Sequence, residues 1–223
     1  MVRVSSESVG CFPTVLVTGF DPFGGDVLNP SWMAAQALHG REVAGHRVVG
    51  VQLPTVFGRS LQVLSEALAR HRPTLVLCTG QAGGRGALSL ERVAINVNDA
   101  RIADNAGAQP VDTPVLAGGC AAYFTSLPIK AMLEALLDEG ISAEVSQTAG
   151  TFVCNHVFYG LMHALASQPE LRHARGGFVH MPWLPQQGQP SMGLDEIVRG
   201  LRLAIACALE TPHDIRKPAG TLN

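Results

Sequence analysis

Cys154 sits in the run Ser146-Gln-Thr-Ala-Gly-Thr-Phe-Val-Cys154-Asn-His156, just after a Gly-containing turn and at the start of an apolar-periodic stretch. That pattern predicts a strand-to-helix turn with the cysteine near the first helical turn. Unsatisfied backbone N–H groups and the positive end of the helix dipole favour negative charge there. A thiol so placed can have its pKa lowered, and the thiolate is its nucleophilic form. The same N–H groups could receive the oxyanion formed when sulfur attacks a carbonyl. A cysteine nucleophile also needs a base within hydrogen-bond reach and a third group to orient that base. His180 ends the run Gly176-Gly-Phe-Val-His-Met-Pro182, and Glu91 heads Glu91-Arg-Val-Ala-Ile-Asn96. All three residue types are expected at one rim of a sheet, but spacing alone does not select this trio from five cysteines and eight histidines.

Other residues compete for attention and carry less. His156 stands two positions from Cys154 and does not share its helix face, and His163 lies more than two turns on. Both read as packing histidines, and His39, His46, His71, His173 and His213 carry no signal. Cys78 and Cys207 lie inside apolar runs and read as small buried hydrophobes. Cys11 and Cys120 have no evident assistance. The five cysteines form no C-x-x-C pair, so neither a disulfide framework nor a structural zinc site is expected. Asp99, Arg101 and Asp104 read as a surface or interface ion-pair set.

Two Gly-rich loops follow strands: Gly19-Phe-Asp-Pro-Phe-Gly-Gly25 and Gly80-Gln-Ala-Gly-Gly-Arg85. Neither matches a dinucleotide or P-loop fingerprint. Phe20 and Phe23 stand out in a chain with only 5% aromatic residues. They either plug the core or form an apolar wall for a small uncharged ligand. Gln81 would emerge at a strand end, where it can both donate to and accept from an amide.

The elements that must position these groups are readable from periodicity. Strands are expected over residues 14–18, 47–53, 74–79, 92–97, 143–147 and 177–180, and helices over 30–38, 56–71, 128–139, 152–166 and 194–209. Near-continuous apolar strands alternating with helices predict a three-layer α/β/α sandwich around a twisted, mainly parallel (mixed) sheet. The site is then expected at the carboxyl ends of the strands. The 223 residues suit one catalytic domain, with an N-terminal extension over 1–12 and a polar, loosely held tail over 211–223. The Gly- and Pro-containing segment 98–127 is either a functional loop, a subunit contact or a surface excursion. Apolar residues make up 47%, charged residues 15%, and the net charge is -2. This excludes the electrostatic grounds for nucleic acid or an anionic membrane as partner. No apolar run approaches the roughly 20 residues that span a bilayer. The N-terminus lacks the apolar region of a signal peptide, so a cytoplasmic protein is expected.

Four blocks in order resemble the pyroglutamyl peptidase I (pyrrolidone carboxyl peptidase) family of cysteine exopeptidases. They are Thr18-Gly-Phe-Asp-Pro-Phe-Gly-Gly25, Gly80-Gln-Ala-Gly-Gly-Arg85 with Glu91-Arg-Val-Ala-Ile-Asn96, Thr148-Ala-Gly-Thr-Phe-Val-Cys-Asn-His156, and Gly177-Phe-Val-His-Met-Pro182. The resemblance spans about residues 15–209. It implies an α/β/α fold like that of purine nucleoside phosphorylases, a tetramer, no cofactor or metal, and removal of N-terminal pyroglutamyl (5-oxoproline) residues from peptides. It further implies that Cys154 is the nucleophile, His180 the general base and then acid, and Glu91 the group orienting His180. Phe20, Phe23, Ile102, Phe152 and Val153 would line the pocket, with Asn29 and Gln81 as polar members and Arg101 beside the site. The backbone N–H of Cys154 would contribute to the oxyanion hole. Two rivals remain at this stage. One is a phosphorylase-like enzyme of the same fold using the Gly-rich loops for phosphate, indifferent to thiol alkylation. The other is a binding module that keeps the pocket without turnover.

Overall fold

The structure, a computed structural model, describes residues 13–220; Cys11 and the expected extension over 1–12 lie outside them. A seven-stranded sheet runs in the order β2-β3-β1-β4-β9-β5-β8. Its strands are β1 (Thr14–Phe20), β2 (Glu42–Val43), β3 (His46–Leu53), β4 (Leu75–Gln81), β5 (Leu88–Glu91), β8 (Ala143–Ser146) and β9 (Arg175–Met181). The central four, β3, β1, β4 and β9, are parallel. β2 is antiparallel to β3 at one edge, and β5 is antiparallel to β9 while parallel to β8 at the other. A separate ribbon pairs β6 (Val93–Ile95) with β7 (Ala122–Phe124).

Side-chain parity assigns the two faces. Val15, Val17, Leu75, Leu77, Leu88, Leu90, Val179 and Met181 point into a core shared with α1 (Pro30–Leu38), α3 (Ile129–Asp138) and α5 (Leu194–Glu210). The alternate residues Leu16, Val76, Cys78 and Phe178 point the other way, into a core shared with α2 (Arg59–His71) and α4 (Val153–Ser167). Because strand side chains alternate, Gly80, His180, Ser89 and Glu91 all belong to this α4 face. The three-layer mixed sandwich is as expected.

Several details differ from the expected elements. The strand expected over 92–97 is the short β6 of the ribbon, and the main-sheet strand just before it, β5, was not expected. The break between β5 and β6 follows the partners, since Leu88 and Leu90 bury against the α5 layer whereas Ala94 joins the α4 core. α2 begins at Arg59, because Gly58 (φ 71) holds a left-handed turn at its N-cap. The 98–127 segment is braced by the Asn98–Thr113 bridge and contains β7. The described part of the tail, residues 211–220, is a strap, contrary to its loose reading. Asp214 accepts from the Lys130 and Ala131 N–H groups at the start of α3, Lys217 pairs with Glu134, and Arg92 donates to the Ala219 carbonyl. Its few apolar residues concealed this polar attachment.

Candidate active site

His180 is 4% exposed near the end of β9, and its Nδ1–H donates to Glu91 Oε1 at 2.8 Å. The carboxylate can only accept, so it fixes the proton on Nδ1 and leaves Nε2 free to accept one. The antiparallel register of β5 and β9 opposes Ser89 to His180. It places Glu91 diagonally below the imidazole, on the same face. Glu91 therefore does not sit with the others at a common carboxyl end. It arrives on a strand running the opposite way, which parity makes equally effective.

Glu91 is fully buried, and its Oε1 also accepts from Arg85 Nη1 at 2.7 Å. Arg85 continues to the Thr148 carbonyl at 3.1 Å and to Ser146 Oγ at 3.4 Å, in the loop that leads into α4.

Cys154 is the second residue of α4, whose N-cap Phe152 supplies no side-chain hydrogen bond. The N–H groups of Val153 and Cys154 consequently have no intrahelical acceptor and are available to an oxyanion. The half-buried sulfur rests above β4. A Cβ built on Gly80 would meet Cys154 Sγ at 2.8 Å and the Phe178 ring at 2.9 Å. Gly80 is the register partner of His180 on the adjacent parallel strand. Neighbouring strands lie about 4.8 Å apart. Sulfur and imidazole therefore share one face, one strand apart. The expected lowering of the thiol pKa is not found. Burial, reinforced by the Glu91 carboxylate and opposed by Arg85, pushes Cys154 up to about 12. Burial and the carboxylate thus favour the thiol form, against the pull of the helix N-terminus.

The pocket residues redistribute. Phe23 and Phe152 face each other with ring centroids 5.9 Å apart, and Phe57 meets Phe152 edge-on at 5.4 Å. Ile102, 44% exposed, approaches the same loop, since its Cδ1 lies 3.7 Å from a Cβ built on Gly24. Phe20 and Val153 instead bury in the α4 core. Phe20 thus does not bracket a ligand with Phe23, and Val153 offers the site only its backbone. Asn29 is also structural: it caps α1, accepting from Ser31 N–H and Oγ–H and donating to the Asp21 carbonyl. Gln81 donates to Asp26 at 2.8 Å and accepts from Gln187 at 2.9 Å, so it is held rather than free. Arg101 is exposed next to Ile102, with no side-chain hydrogen bond among the described residues.

Phe57 and Gln187 were not evident from the sequence; a lone aromatic in a short turn and a glutamine in a polar loop give no periodic signal. Asp104 is buried, not part of a surface ion-pair set. It accepts from the N–H groups of Phe57, Ala106 and Ala108. Asp21 accepts from Thr55 N–H and Asn105 Nδ2, tying the same loops from the other side. His156 is a packing histidine as expected: its Nε2 accepts from Gly58 N–H, which leaves Nδ1–H for Asn98 Oδ1. Among the described residues no three His, Cys, Asp or Glu side chains are arranged to hold a metal ion. Phosphate is ill suited to the Gly80–Arg85 loop, whose arginine is paired to Glu91 and whose glutamine is bonded to the Asp26 carboxylate.

A neutral cysteine, a tautomer-fixed histidine and a buried carboxylate beside an aromatic wall are the parts of a thiol-dependent acyl-transfer site. The family model described as pyroglutamyl peptidase matches residues 13–211. Pyrrolidone-carboxylate peptidase 1 of Ralstonia nicotianae is 58% identical over 216 residues, covering 95% of this chain and 100% of its own. Pyrrolidone-carboxylate peptidase of Bacillus cytotoxicus is 53% identical over 213 residues, covering 93% and 98%. Among solved structures, pyroglutamyl peptidase I from Bacillus amyloliquefaciens superposes with a TM-score of 0.90 at 49% identity, covering 93% of this chain and all of that one. A mutant pyrrolidone carboxyl peptidase from the hyperthermophile Pyrococcus furiosus gives 0.85 at 39%, covering 88% and 98%. With a family model over nearly its whole length and relatives above half identity, the chain belongs to the pyroglutamyl peptidase family.

Proposed function

We propose that this cysteine peptidase removes N-terminal pyroglutamyl residues through Cys154 as nucleophile, His180 as general base and then acid, and Glu91 as the residue orienting His180. The observation that carries the reading is the 2.8 Å Glu91–His180 bond on the same sheet face as the Cys154 sulfur. Burial and Glu91 favour the thiol form of Cys154, so in this reading proton transfer accompanies attack. As the S–C bond forms, His180 Nε2 takes the thiol proton, and the carbonyl oxygen becomes an oxyanion facing the Val153 and Cys154 N–H groups. Collapse of that intermediate breaks the C–N bond, and the leaving amine takes the proton from His180. Water, deprotonated by His180, then attacks the thioester. It releases 5-oxoproline, and the proton returns to sulfur.

The aromatic wall suits the acyl group. A lactam ring has no charged amine and is flat, so Phe23, Phe57 and Phe152 can take its faces and edges. A glutaminyl or glutamyl N-terminus carries an ammonium that would lose hydration against these rings. Four described cysteines are free, and a reducing cytoplasm preserves such thiols. No described helix is long and apolar enough to cross a membrane. The homotetramer is implied by the resemblance alone.

The test is a fluorogenic pyroglutamyl amide assayed with the wild type and Cys154→Ala, with and without iodoacetamide. Turnover is expected only with the unmodified thiol, and a glutaminyl amide should react at least about a hundredfold more slowly. Normal turnover by Cys154→Ala, or equal rates for the two amides, would overturn the reading.

A further inference from the structure

The arginine behind the carboxylate has a geometry that packing alone does not require. Glu91 Oε1 is shared between His180 Nδ1 at 2.8 Å and Arg85 Nη1 at 2.7 Å, while the buried Oε2 has no donor among the described residues. Among the described residues, Arg85 is thus the one permanent positive charge bonded to this fully buried carboxylate. Its other amine grips the Thr148 carbonyl, six residues before Cys154. The turn that carries Arg85 is itself clamped. Ala82 N–H donates to the Met181 carbonyl, one residue past His180, and Gly83 lies so close to the Trp183 indole that a Cβ there would meet ring atoms at 2.3 Å. The guanidinium side chain is 28% exposed, so it forms the solvent side of a dyad otherwise sealed by protein.

We propose that Arg85 is a positioning residue of the peptidase reaction, holding Glu91 aimed at His180 while fastening the same carboxylate to the loop that delivers Cys154. The inference rests on the peptidase reading above. The fork of a guanidinium spans carboxylate and carbonyl at once, which an ammonium does not. Without its cation the carboxylate would bond to His180 alone and favour imidazolium over free imidazole. The base would then be protonated at a higher pH. The other titratable groups facing the dyad are Cys154 on α4, Cys78 on β4 and Glu144 on β8. The last is one strand over and bonded to Ser89 at 2.7 Å. None of them supplies a compensating positive charge.

The experiment compares wild type, Arg85→Met, Arg85→Gln and Arg85→Lys on the pyroglutamyl amide, with full pH profiles and thermal melts. The neutral variants should lose about a hundredfold in kcat with KM within about threefold, because Arg85 acts through Glu91 and not on substrate. Their acidic limb should move up by about one pH unit, whereas Arg85→Lys should keep the limb at the wild-type position and recover kcat to within about tenfold. Two neutral variants are used so that one remains if the other does not fold. A neutral variant that folds and keeps the wild-type limb overturns the proposal, whether kcat is retained or lost. Cysteine-independent turnover by the wild type would instead sink the peptidase assignment and leave the pairing of Arg85 unaddressed.

Discussion

Glu91→Gln isolates the charge that orients the base. In the transition state His180 is an imidazolium whose Nδ1–H points at Glu91 Oε1 from 2.8 Å. With charge centres about 4 Å apart and an effective dielectric of about 20, that attraction is about 4 kcal/mol. Arg85, bonded to the same oxygen, attracts Glu91 in the ground state too, so it reduces the field His180 feels without cancelling it. In the glutamine variant Arg85 and imidazolium would face one another across a neutral amide, and the amide N–H would occupy the side of Oε2, which is buried and makes no hydrogen bond among the described residues. A net loss of about 3 kcal/mol corresponds to a fall of about a hundredfold to two-hundredfold in kcat. KM should stay put, because a carboxylate with no exposed surface does not touch substrate. The assay is steady-state hydrolysis of the fluorogenic amide at saturating substrate, with circular dichroism to verify the fold. A folded variant within fivefold of wild-type kcat, or one as inactive as Cys154→Ala, would refute the electrostatic account.

Other perturbations have definite signs. The Cys154 thiol is held near 12 by burial and by Glu91. Its contribution to absorbance at 240 nm, taken as the difference from Cys154→Ala, should therefore stay flat through neutral pH. A step between about pH 5 and 8 would mean a preformed thiolate. Gly80→Ala drives a methyl group to 2.8 Å from the sulfur and 2.9 Å from Phe178. It should destabilise the fold by about 1–3 kcal/mol and lower kcat at least tenfold, and a melt and rate equal to wild type would contradict that packing. Burial lowers His156 from 6.5 to about 4. Its unfolded form binds the proton first as pH falls, so stability should drop by about 3 kcal/mol between pH 6.5 and 4 and change no further from this group below that. Urea midpoints across that window should flatten in His156→Gln, and an unchanged slope would dissociate the histidine from acid lability.

The sandwich, and the residues it brings to one sheet face beside Cys154, were legible because they rest on local signals. Apolar strands gave the parallel core, and short blocks around Cys154, His180 and Glu91 carried the family resemblance. What stayed hidden depends on partners distant along the chain. Phe20 and Phe23 are three residues apart in one loop, yet one enters the core and the other the slot, a choice made by α2 and α4 rather than by the loop. Asn29 looked like a ligand group because capping and ligand binding use the same amide. Arg85 gave no sign of its role, since its partners Glu91 and Thr148 meet it only through the antiparallel return of β5 and the loop after β8. The upward push on the Cys154 thiol was not legible, because helix position is visible in sequence and burial is not.

Two carboxylates, Asp21 and Asp104, lace together the three segments that carry Phe23, Phe57 and Ile102. Their backbones are thereby tied to one another, so the three side chains hang from a single braced frame. Whatever these rings receive, the cost of ordering the chain that bears them has already been met during folding.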